Sequence, residues 1–444
     1  MTPGPAGPTD PPGPPDRAGP PDRAGPPDRA GRPPRPPFAA RFLQQLWSAN
    51  AFTVTVLAIA LALLVGAVLI VISDPAVRAT YGYFFARPTD ALSASWGAVS
   101  DAYLNLFRGS VVDVRVVGRV LDGELPASRA FGPISETLSY STPLVFTGLA
   151  FALAFRGGLF NIGVQGQAIL GAIGAALAGF LLPLPVVLHL LLAVLAGTLL
   201  GAAWGFVPGF LKARTGAHEV IVTIMLNWVA LFFLSWLIIQ SWVREPTRAD
   251  AISQRVDQSA RLPRLLEWVG PGLRVDLGIV LAVLTVAGVA WLLNRATFGF
   301  ELRAVGLSPD AARVAGMSLT TTYVLVMAVA GALAGLGGVA MVLGPALALT
   351  PQVIGTVGFD GILVGLLGRA RPWGVLAAAL LFGALQAGGN RMQIAAGVSL
   401  ELVQVIQALI VIFVAAPALV RTVFALRTAR APGIAVAEEA GRGW

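Results

Sequence analysis

The sequence contains no cysteine, two histidines (His189 and His218) and a single lysine, Lys212. The absence of cysteine excludes disulfides, thiolate catalysis and thiolate metal sites. Two histidines are too few for a histidine-rich metal centre. Because Lys212 follows Leu211, the chain has no Gly-Lys pair and therefore no Walker A loop for ATP. We expect no cofactor, no metal and no catalytic residue.

Charged residues are also scarce. They make up 12% of the 444 residues, against about 25% in soluble domains, whereas 56% are hydrophobic. Residues 157–211 carry no acidic or basic side chain except His189. Such a run must lie in lipid, where helices satisfy their own backbone polar groups. The sequence therefore predicts an all-α, polytopic membrane helix bundle and nearly excludes a water-soluble enzyme.

About ten apolar segments approach the length of roughly 20 residues that crosses a bilayer. We place them at 52–73, 138–155, 163–182, 185–210, 220–243, 277–294, 319–343, 351–367, 374–389 and 402–419. Gly and Pro at 157–158, 166 and 355–361 predict one or more broken or re-entrant helices. Dense small residues at 171–176 and 330–338 predict close backbone contact between helices.

The charge pattern predicts the orientation and the domains. Residues 1–45 are Pro/Arg-rich, with a tandem repeat at 14–31, and we expect a disordered cytoplasmic tail. Basic short loops on one side of the ten spans place both termini in the cytoplasm. The transmembrane domain is then 46–430, with extracytoplasmic loops at 74–137 and 244–276 and a flexible tail at 431–444. Basic cytoplasmic loops also explain the net charge of +8 without nucleic acid.

Polar side chains at helical spacing stand out in these apolar spans. An amide or carboxylate in lipid needs a partner, because each unsatisfied group costs several kcal/mol. One interpretation is a solute pathway lined by amides, and the other is hydrogen bonding between helices. The candidate pathway residues are Asn161, Gln165, Gln167, Glu219, Thr223, Asn227, Gln386, Asn390 and Gln404.

Three further ionisable residues have simpler structural interpretations. Asp360 is interpreted as the N-cap of a short helix. His189, alone in an apolar span, is interpreted as a neutral, hydrogen-bonded packing residue. His218 is interpreted as a cytoplasmic interface residue.

The longest charged inner loop lies at 295–318. Ser308 is predicted to cap a short helix with Pro309 at its first position and Asp310 in its first turn. Such a helix either docks into another protein or is an ordinary amphipathic loop helix.

Four motifs, in order, resemble permease subunits of ABC importers for simple sugars, branched-chain amino acids and nucleosides. GLFNIGVQGQ at 158–167 and HEVIVTIMLN at 218–227 are similar to signatures of the nucleoside-type branch. LRAVG at 302–306 with AARVAG at 311–316 resembles the family's coupling loop, and GFDGILVGLLG at 358–368 resembles a further family segment. The resemblance covers about 142–420.

The resemblance implies import of nucleosides or related simple sugars across the bacterial inner membrane, driven by ATP hydrolysis elsewhere. The implied partners are a cytoplasmic ATP-binding subunit, a second permease subunit, an extracytoplasmic solute-binding lipoprotein, the small-molecule substrate and membrane lipid. The implied coupling residues are Arg303, Gly306, Ala311, Ala312, Arg313 and Gly316. Relatives more often carry glutamate where this chain has Gln165, so we expect altered preference and retained transport.

Two rival functions have weaker support in the sequence. An ion-gradient-driven secondary transporter would need a buried titratable relay, for which only Glu219, Asp360 and Glu401 are candidates. A membrane-embedded enzyme lacks a credible histidine, cysteine or paired-carboxylate centre. ATP dependence of uptake separates the importer from the secondary transporter.

Overall fold

The computed structural model describes Gly4, residues 51–270 and residues 272–424. The predicted tails at 1–45 and 431–444 lie outside the described residues. The α-helices, in chain order, are α1 Ala51–Ser73, α2 Pro75–Tyr81, α3 Pro88–Ser110, α4 Val114–Leu121, α5 Ser128–Arg156, α6 Val164–Leu181, α7 Val186–Thr215, α8 Glu219–Ile238, α9 Gly278–Arg295, α10 Thr297–Leu307, α11 Pro309–Val314, α12 Leu319–Met341, α13 Val357–Leu367, α14 Pro372–Ala396, α15 Leu400–Ala415 and α16 Pro417–Val423.

The described residues contain eight helices that are long and apolar enough to cross a membrane. They are α1, α5, α6, α7, α8, α9, α12 with its π-helical extension, and α14. Two further apolar helices, α13 and α15, are shorter. The all-α polytopic bundle is therefore confirmed, whereas the predicted count of about ten spans is not.

Several predicted boundaries were wrong because apolar composition does not mark where a helix ends. Helix α5 begins at Ser128, ahead of the predicted start, and α7 continues to Thr215. The segment 74–137, interpreted as a loop with amphipathic helices, contains α3, a helix of 23 residues. Helix α3 packs on α14 and buries Ala102, Gly109 and Ser110. A helix with several charged residues can thus pack into the bundle if the side chains on one of its faces are small and uncharged.

The centre of the bundle is a seam between α12 and the helix pair α6 and α7. Glycines on the three helices meet backbone to backbone: a Cβ added at Gly335 would lie 2.8 Å from the Gly197 carbonyl oxygen. One added at Gly201 would lie 2.7 Å from the Gly335 Cα. The predicted close contact through small residues is confirmed. In lipid the hydrophobic effect does not drive helices together, so dispersion between the closely packed backbones stabilises this contact.

Helical geometry is interrupted at two of the three predicted places. The chain turns between α5 and α6 through Gly158, which has φ +74°. It is also irregular between the π-helix Val342–Ala346 and α13, where Leu347 (φ 59°) and Gly355 (φ +53°) are left-handed. The break predicted at Gly166 was wrong, since this residue lies in the first turn of α6. Glycine there serves close packing against Asn227.

The segment 244–276 lies across one end of the bundle and is hydrogen-bonded to it. The Asp257 amide donates to the Gly179 carbonyl at 2.9 Å, and the Leu262 amide donates to the Leu343 carbonyl at 2.9 Å. His189 is fully buried, with Nδ1 2.7 Å from Ser259 Oγ and Nε2 3.0 Å from the Ala178 carbonyl oxygen. The prediction that His189 is a hydrogen-bonded packing residue is confirmed.

Candidate solute cavity

The polar residues before and at the start of α6 satisfy one another. Asn161 Oδ1 accepts from the Gly163 amide at 3.0 Å, and Asn161 Nδ2 donates to Gln167 Oε1 at 3.0 Å. Both side chains are essentially inaccessible, at 0% and 1% exposure. Their hydrogen bonds close the turn that reverses the chain between α5 and α6. The two residues therefore shape the wall of a site, while their polar atoms are already used.

Asn227 on α8 ties this turn to the next helix. Its Oδ1 accepts from the Gly166 amide at 2.8 Å, and its Nδ2 donates to the Ile162 carbonyl at 2.9 Å. Thr223 lies one turn earlier, fully buried, with its hydroxyl donating to the Val220 carbonyl. Since the first amides of a helix lack intrahelical partners, Asn227 acts as a cap supplied by another helix. The predicted shared face of Thr223 and Asn227 does point toward α6.

Gln165 ties the turn to the irregular segment before α13. Its Nε2 donates to the Gly355 carbonyl at 2.8 Å, and its Oε1 accepts from the Gly358 amide at 2.8 Å. Gly358 packs directly on the Gln165 backbone, leaving no room for a Cβ. One amide thus connects the start of α6 to the start of α13, although the two are far apart in sequence.

These three elements enclose a cavity of about 290 Å³, near the lower end of the range for ligand sites. Its wall combines apolar side chains with two aromatic rings and three amides. The lining residues are Gln165, Ile169, Ile224, Asn227, Trp228, Leu231, Leu234, Pro351, Gln352, Ile354, Gly355 and Phe359. Gln352 is exposed, and its side chain makes no hydrogen bond to the described residues, whereas its backbone carbonyl accepts from the Gly355 amide. Its amide is free to bind a solute.

Three lining residues, Trp228, Gln352 and Phe359, were not predicted from sequence. Trp228 and Phe359 line the cavity and keep 55% and 46% of their surface exposed, so they lie at its edge. In an apolar sequence an aromatic residue has no signal that separates a cavity from lipid contact. Gln352 did carry a signal, because it is a lone amide beside Pro351 in a predicted span.

Glu219 lies apart from this cavity, at the first turn of α8. Its carboxylate receives a hydrogen bond from Lys212 Nζ at 2.6 Å, and Lys212 also lies over the Tyr323 ring at 5.9 Å. The pair joins α7, α8 and α12. Because the charge is neutralised there, Glu219 serves that junction in this conformation, and its role in a pathway stays a prediction.

The remaining candidate pathway residues are also away from the cavity. Asn390 Nδ2 donates to Tyr140 Oη at 2.9 Å, in a separate groove of about 1230 Å³ between α5, α14 and the segment before α9. Gln386 is half-buried on α14, and Gln404 is exposed on α15. The structure brings together the amides near α6 and leaves these three elsewhere, and their pathway role also stays a prediction.

The loop 295–318 folds into α10 and α11. As predicted, Ser308 caps α11: its side chain accepts from the Ala311 amide, with Pro309 and Asp310 in the first turn. Ala311 and Arg313 are exposed and Ala312 is buried, while Leu307 and Val314 project at 88% and 89% exposure. Gly316, at φ +84°, ends the helix in a left-handed turn that favours glycine. Two exposed aliphatic side chains flank α11.

Helix α10 connects this protrusion to the turn before α6. Gly306 packs against the backbone of Arg156 and Gly158, with the Gly158 amide 2.9 Å from where a Cβ would lie. Arg303, half-buried on the same helix, donates to the Gly299 carbonyl at 3.2 Å. Helix α10 therefore links α11 to the turn that carries Asn161 through a direct backbone contact.

Asp360 is not the helix N-cap that the sequence suggested. Thr356 occupies that position, and Asp360 sits in the first turn, accepting a hydrogen bond from Thr356 Oγ1 at 2.8 Å. Residues 51–270 and 272–424 contain no group of three His, Cys, Asp or Glu side chains that would hold a metal ion.

Residues 134–415 match the family described as branched-chain amino acid transport system, permease component. A guanosine ABC transporter permease protein of Bacillus subtilis is 40% identical over 291 residues, 65% of this chain and 83% of that protein. A nucleoside ABC transporter permease protein of Lactococcus lactis is 39% identical over 287 residues, 64% and 79% of the two chains. A glucose ABC transporter permease protein of Haloferax volcanii is 35% identical over 286 residues, 63% and 75%.

These similarities agree with the four motifs and decide against the ion-gradient-driven alternative. The chain belongs to the permease components of ABC transport systems of the branched-chain amino acid type, as a multi-pass membrane transport subunit without enzymatic activity of its own.

Proposed function

We propose that the importer containing this chain carries nucleosides, with the cavity between α6, α8 and the 351–359 segment as a binding position on the path. The single observation that carries the proposal is this cavity, which places a free amide beside two aromatic rings. The names of the guanosine and nucleoside permeases that are 39–40% identical support it. A related simple sugar is the second candidate, because a relative at 35% identity is named for glucose.

The cavity's chemistry suits a flat solute with mixed hydrogen-bonding edges. Trp228 and Phe359 offer π-faces, and stacking of a base on an aromatic side chain contributes about 1–3 kcal/mol. The Gln352 amide both donates and accepts, as the edge of a nucleobase requires. A sugar would use the amide and gain less from the rings. The relative importance of Trp228 and Gln352 therefore separates the two substrates.

Family membership supports three protein partners: a cytoplasmic ATP-binding subunit, a second permease subunit and an extracytoplasmic solute-binding lipoprotein. We place the complex in the bacterial cytoplasmic membrane, with both termini inside and no role for nucleic acid. The open side of the cavity, at Trp228 and Phe359, is where a second permease would complete the path. The exposed apolar side chains beside α11, Leu307 and Val314, suit a groove on the ATP-binding subunit.

The proposal implies a route for coupling. When the ATP-binding subunits close, α11 is displaced, and the backbone contact of Gly306 with Gly158 passes the displacement to the turn before α6. Asn227 and Gln165 connect that turn to α8 and to the 351–359 segment. The walls of the cavity are therefore the parts that move.

The test is uptake by the complete complex in proteoliposomes, with radiolabelled guanosine, ATP inside and unlabelled competitors. We expect ATP-dependent uptake, inhibited by nucleosides and not by glucose, with KM raised about tenfold in Trp228→Leu and Gln352→Ala. Trp236→Leu is the matched control, an exposed tryptophan on the same helix that does not line the cavity. Competition by glucose alone, or uptake driven by a proton gradient without ATP, would contradict the proposal.

A further inference from the structure

Gln165 is the residue on which the shape of the cavity depends. It lies between the first turn of α6 and the segment 351–358, and it is 8% exposed. Its amide spans two backbone groups of that segment, the Gly355 carbonyl and the Gly358 amide, each at 2.8 Å. Four of the cavity's lining residues, Pro351, Gln352, Ile354 and Gly355, belong to the segment that it holds.

Apart from Gln165, the attachments of the segment to the described bundle are a hydrogen bond from Thr147 Oγ1 on α5 to the Val357 carbonyl at 3.2 Å and apolar packing. Its internal hydrogen bonds are local turns, which connect Thr350 to Val353, Gln352 to Gly355 and Ile354 to Val357. The direct backbone bond from the 244–276 segment reaches only as far as Leu349. Between residues 351 and 358, the side-chain hydrogen bonds to α6 are those of Gln165. The side chain of Ile354 packs into the apolar core.

We propose that Gln165 is a positioning residue: its amide holds segment 351–358 against α6, and releasing it opens or deforms the cavity. This inference rests on the proposed function only for what the cavity carries. The hydrogen bonding requires a group that donates and accepts at once, because Gly355 offers a carbonyl and Gly358 offers an N–H. A neutral amide does both.

An ionised carboxylate at this position would keep one bond and lose the other. In Gln165→Glu, one carboxylate oxygen would still accept from the Gly358 amide, while the second would face the Gly355 carbonyl oxygen. A protonated carboxyl has one O–H donor and restores the pair. Gln165→Glu should therefore hold the segment at acidic pH and release it at alkaline pH, whereas the natural amide should not vary.

Other ionisable groups on the packed elements are engaged in their own contacts. Helix α6 itself has no charged residue. On the neighbouring helices, Glu219 is paired with Lys212, and Arg156 is hydrogen-bonded to the Ala370 carbonyl. Asp360 is hydrogen-bonded to Thr356, and His189 to Ser259. The other charged residues of these helices lie near their ends: Arg129, Glu136 and Arg214. Dividing the variant's signal by that of the unmodified chain at each pH removes the contribution that these groups share.

The first measurement is uptake by the complete complex from about pH 5 to about pH 8. We expect Gln165→Leu to raise KM at least about fivefold at every pH, since a buried donor and acceptor lose their partner. We expect Gln165→Glu to match that loss at alkaline pH and to recover to within about twofold of the unmodified chain at acidic pH. A flat ratio for Gln165→Glu, or an unchanged KM for Gln165→Leu, overturns the proposal.

The second measurement does not depend on the solute. Because the chain has no cysteine, Ile354→Cys introduces the only thiol, at a residue that is 2% exposed in the cavity wall. In the complete complex in nanodiscs, maleimide should label this thiol at least about fivefold faster with Gln165→Leu, and with Gln165→Glu only at alkaline pH. If the labelling rates of the Gln165 variants equal the rate of Ile354→Cys with Gln165 unchanged, at the same pH, the positioning role is refuted. If labelling follows the prediction but no nucleoside is taken up, only the proposed function fails.

Discussion

At the scale of single residues, four buried amides near α6 show that polar side chains within the membrane are hydrogen-bonded inside the protein. Asn161, Gln165, Gln167 and Asn227 spend their donors and acceptors on the backbone or on each other. In hydrocarbon no water competes for these bonds, and an unsatisfied group costs several kcal/mol. The amides therefore hold together the elements that surround the cavity, and the Gln352 side chain, which makes no such bond to the described residues, is the amide that we propose for the solute.

Asp276, just before α9, is a buried carboxyl whose ionisation lowers the stability of the folded protein. Its side chain is 7% exposed and accepts a hydrogen bond from the Gly278 amide at 2.8 Å. Burial raises the pKa of Asp276 to about 6, although the Gly278 bond and Arg264 act in the opposite direction. Since the folded pKa is above the unfolded one, the group contributes most to stability below about pH 4 and loses this contribution as pH rises through about 6.

Asp276→Asn should consequently stabilise the protein at alkaline pH and have little effect at about pH 4. The amide oxygen still accepts from Gly278, and the gain is on the order of 3 kcal/mol at most, from a shift of about two pKa units. Thermal unfolding in nanodiscs at the two pH values measures it. Asp257→Asn, at an exposed carboxyl of the same segment, is the control. An equal change in melting temperature at both pH values would count against the assignment.

At the scale of elements, α10 and α11 connect the surface to the turn before α6, and we propose that this connection couples ATP hydrolysis to transport. Helix α11 is a single capped turn with exposed aliphatic neighbours, and it adds little to the core. Helix α10 packs through Gly306 on the turn at Arg156 and Gly158. A contact between two backbones transmits displacement with little loss, because no side-chain rotamer can absorb it.

Gly306→Ala should uncouple ATP hydrolysis from uptake. Its Cβ would collide with the Arg156 carbonyl oxygen, and overpacking of this kind costs about 1–3 kcal/mol, enough to lower uptake about tenfold.

Arg313→Ala should act at the docking surface, since its ion pair with Asp310 at 3.9 Å is exposed and adds little stability. We expect hydrolysis to continue in the reconstituted complex, with solute capture by the receptor intact.

Gly288→Ala on α9 is the control for Gly306→Ala, because a Cβ at Gly288 meets nothing within 4 Å. Normal uptake per ATP in the Gly306→Ala and Arg313→Ala variants would show that α10 and α11 do not couple the two processes.

At the scale of the whole molecule, the bundle is organised around α12. This helix contacts α5, α6 and α7, and its glycines allow the backbones to touch. Two of the three apolar clusters include residues of α12, while the third joins α1, α3 and α15 to the C-terminal half of α14. The stability of the bundle should therefore be most sensitive at the glycines of α12.

Gly338→Val should strongly reduce the yield of folded protein, because its Cβ would overlap the Ala168 carbonyl oxygen on α6. Helix backbones cannot give way as flexible side chains do, so the destabilisation should exceed the roughly 1–3 kcal/mol that is typical of overpacking. Gly288→Val, in open space, should fold normally. Size-exclusion chromatography and thermal unfolding of both variants measure the difference, and similar behaviour would contradict the packing role of α12.

Much of the architecture could be predicted from sequence, because lipid imposes simple rules. Apolar runs located most of the long helices, and the small residues of α6 and α12 marked the seam that the structure contains. Amphipathic helices were predicted within 74–137, but the packing of α3 on the bundle was not, since its charged side chains hide one buried face. Of the residues that line the cavity, Gln165 and Asn227 stood out in the sequence as amides in an apolar run, whereas Trp228 and Phe359 looked like any membrane aromatic.

The sequence by itself determined that this chain is a helical membrane protein of the ABC permease type, because composition, periodicity and local motifs depend only on neighbours along the chain. The tertiary structure decided which polar residues share a cavity. It joined Gln165 to Gly355 and Gly358, and Asn227 to Gly166, while it placed Asn390 and Gln404 elsewhere. A hydrogen bond between distant residues depends on how helices pack, and that is set by the whole set of contacts.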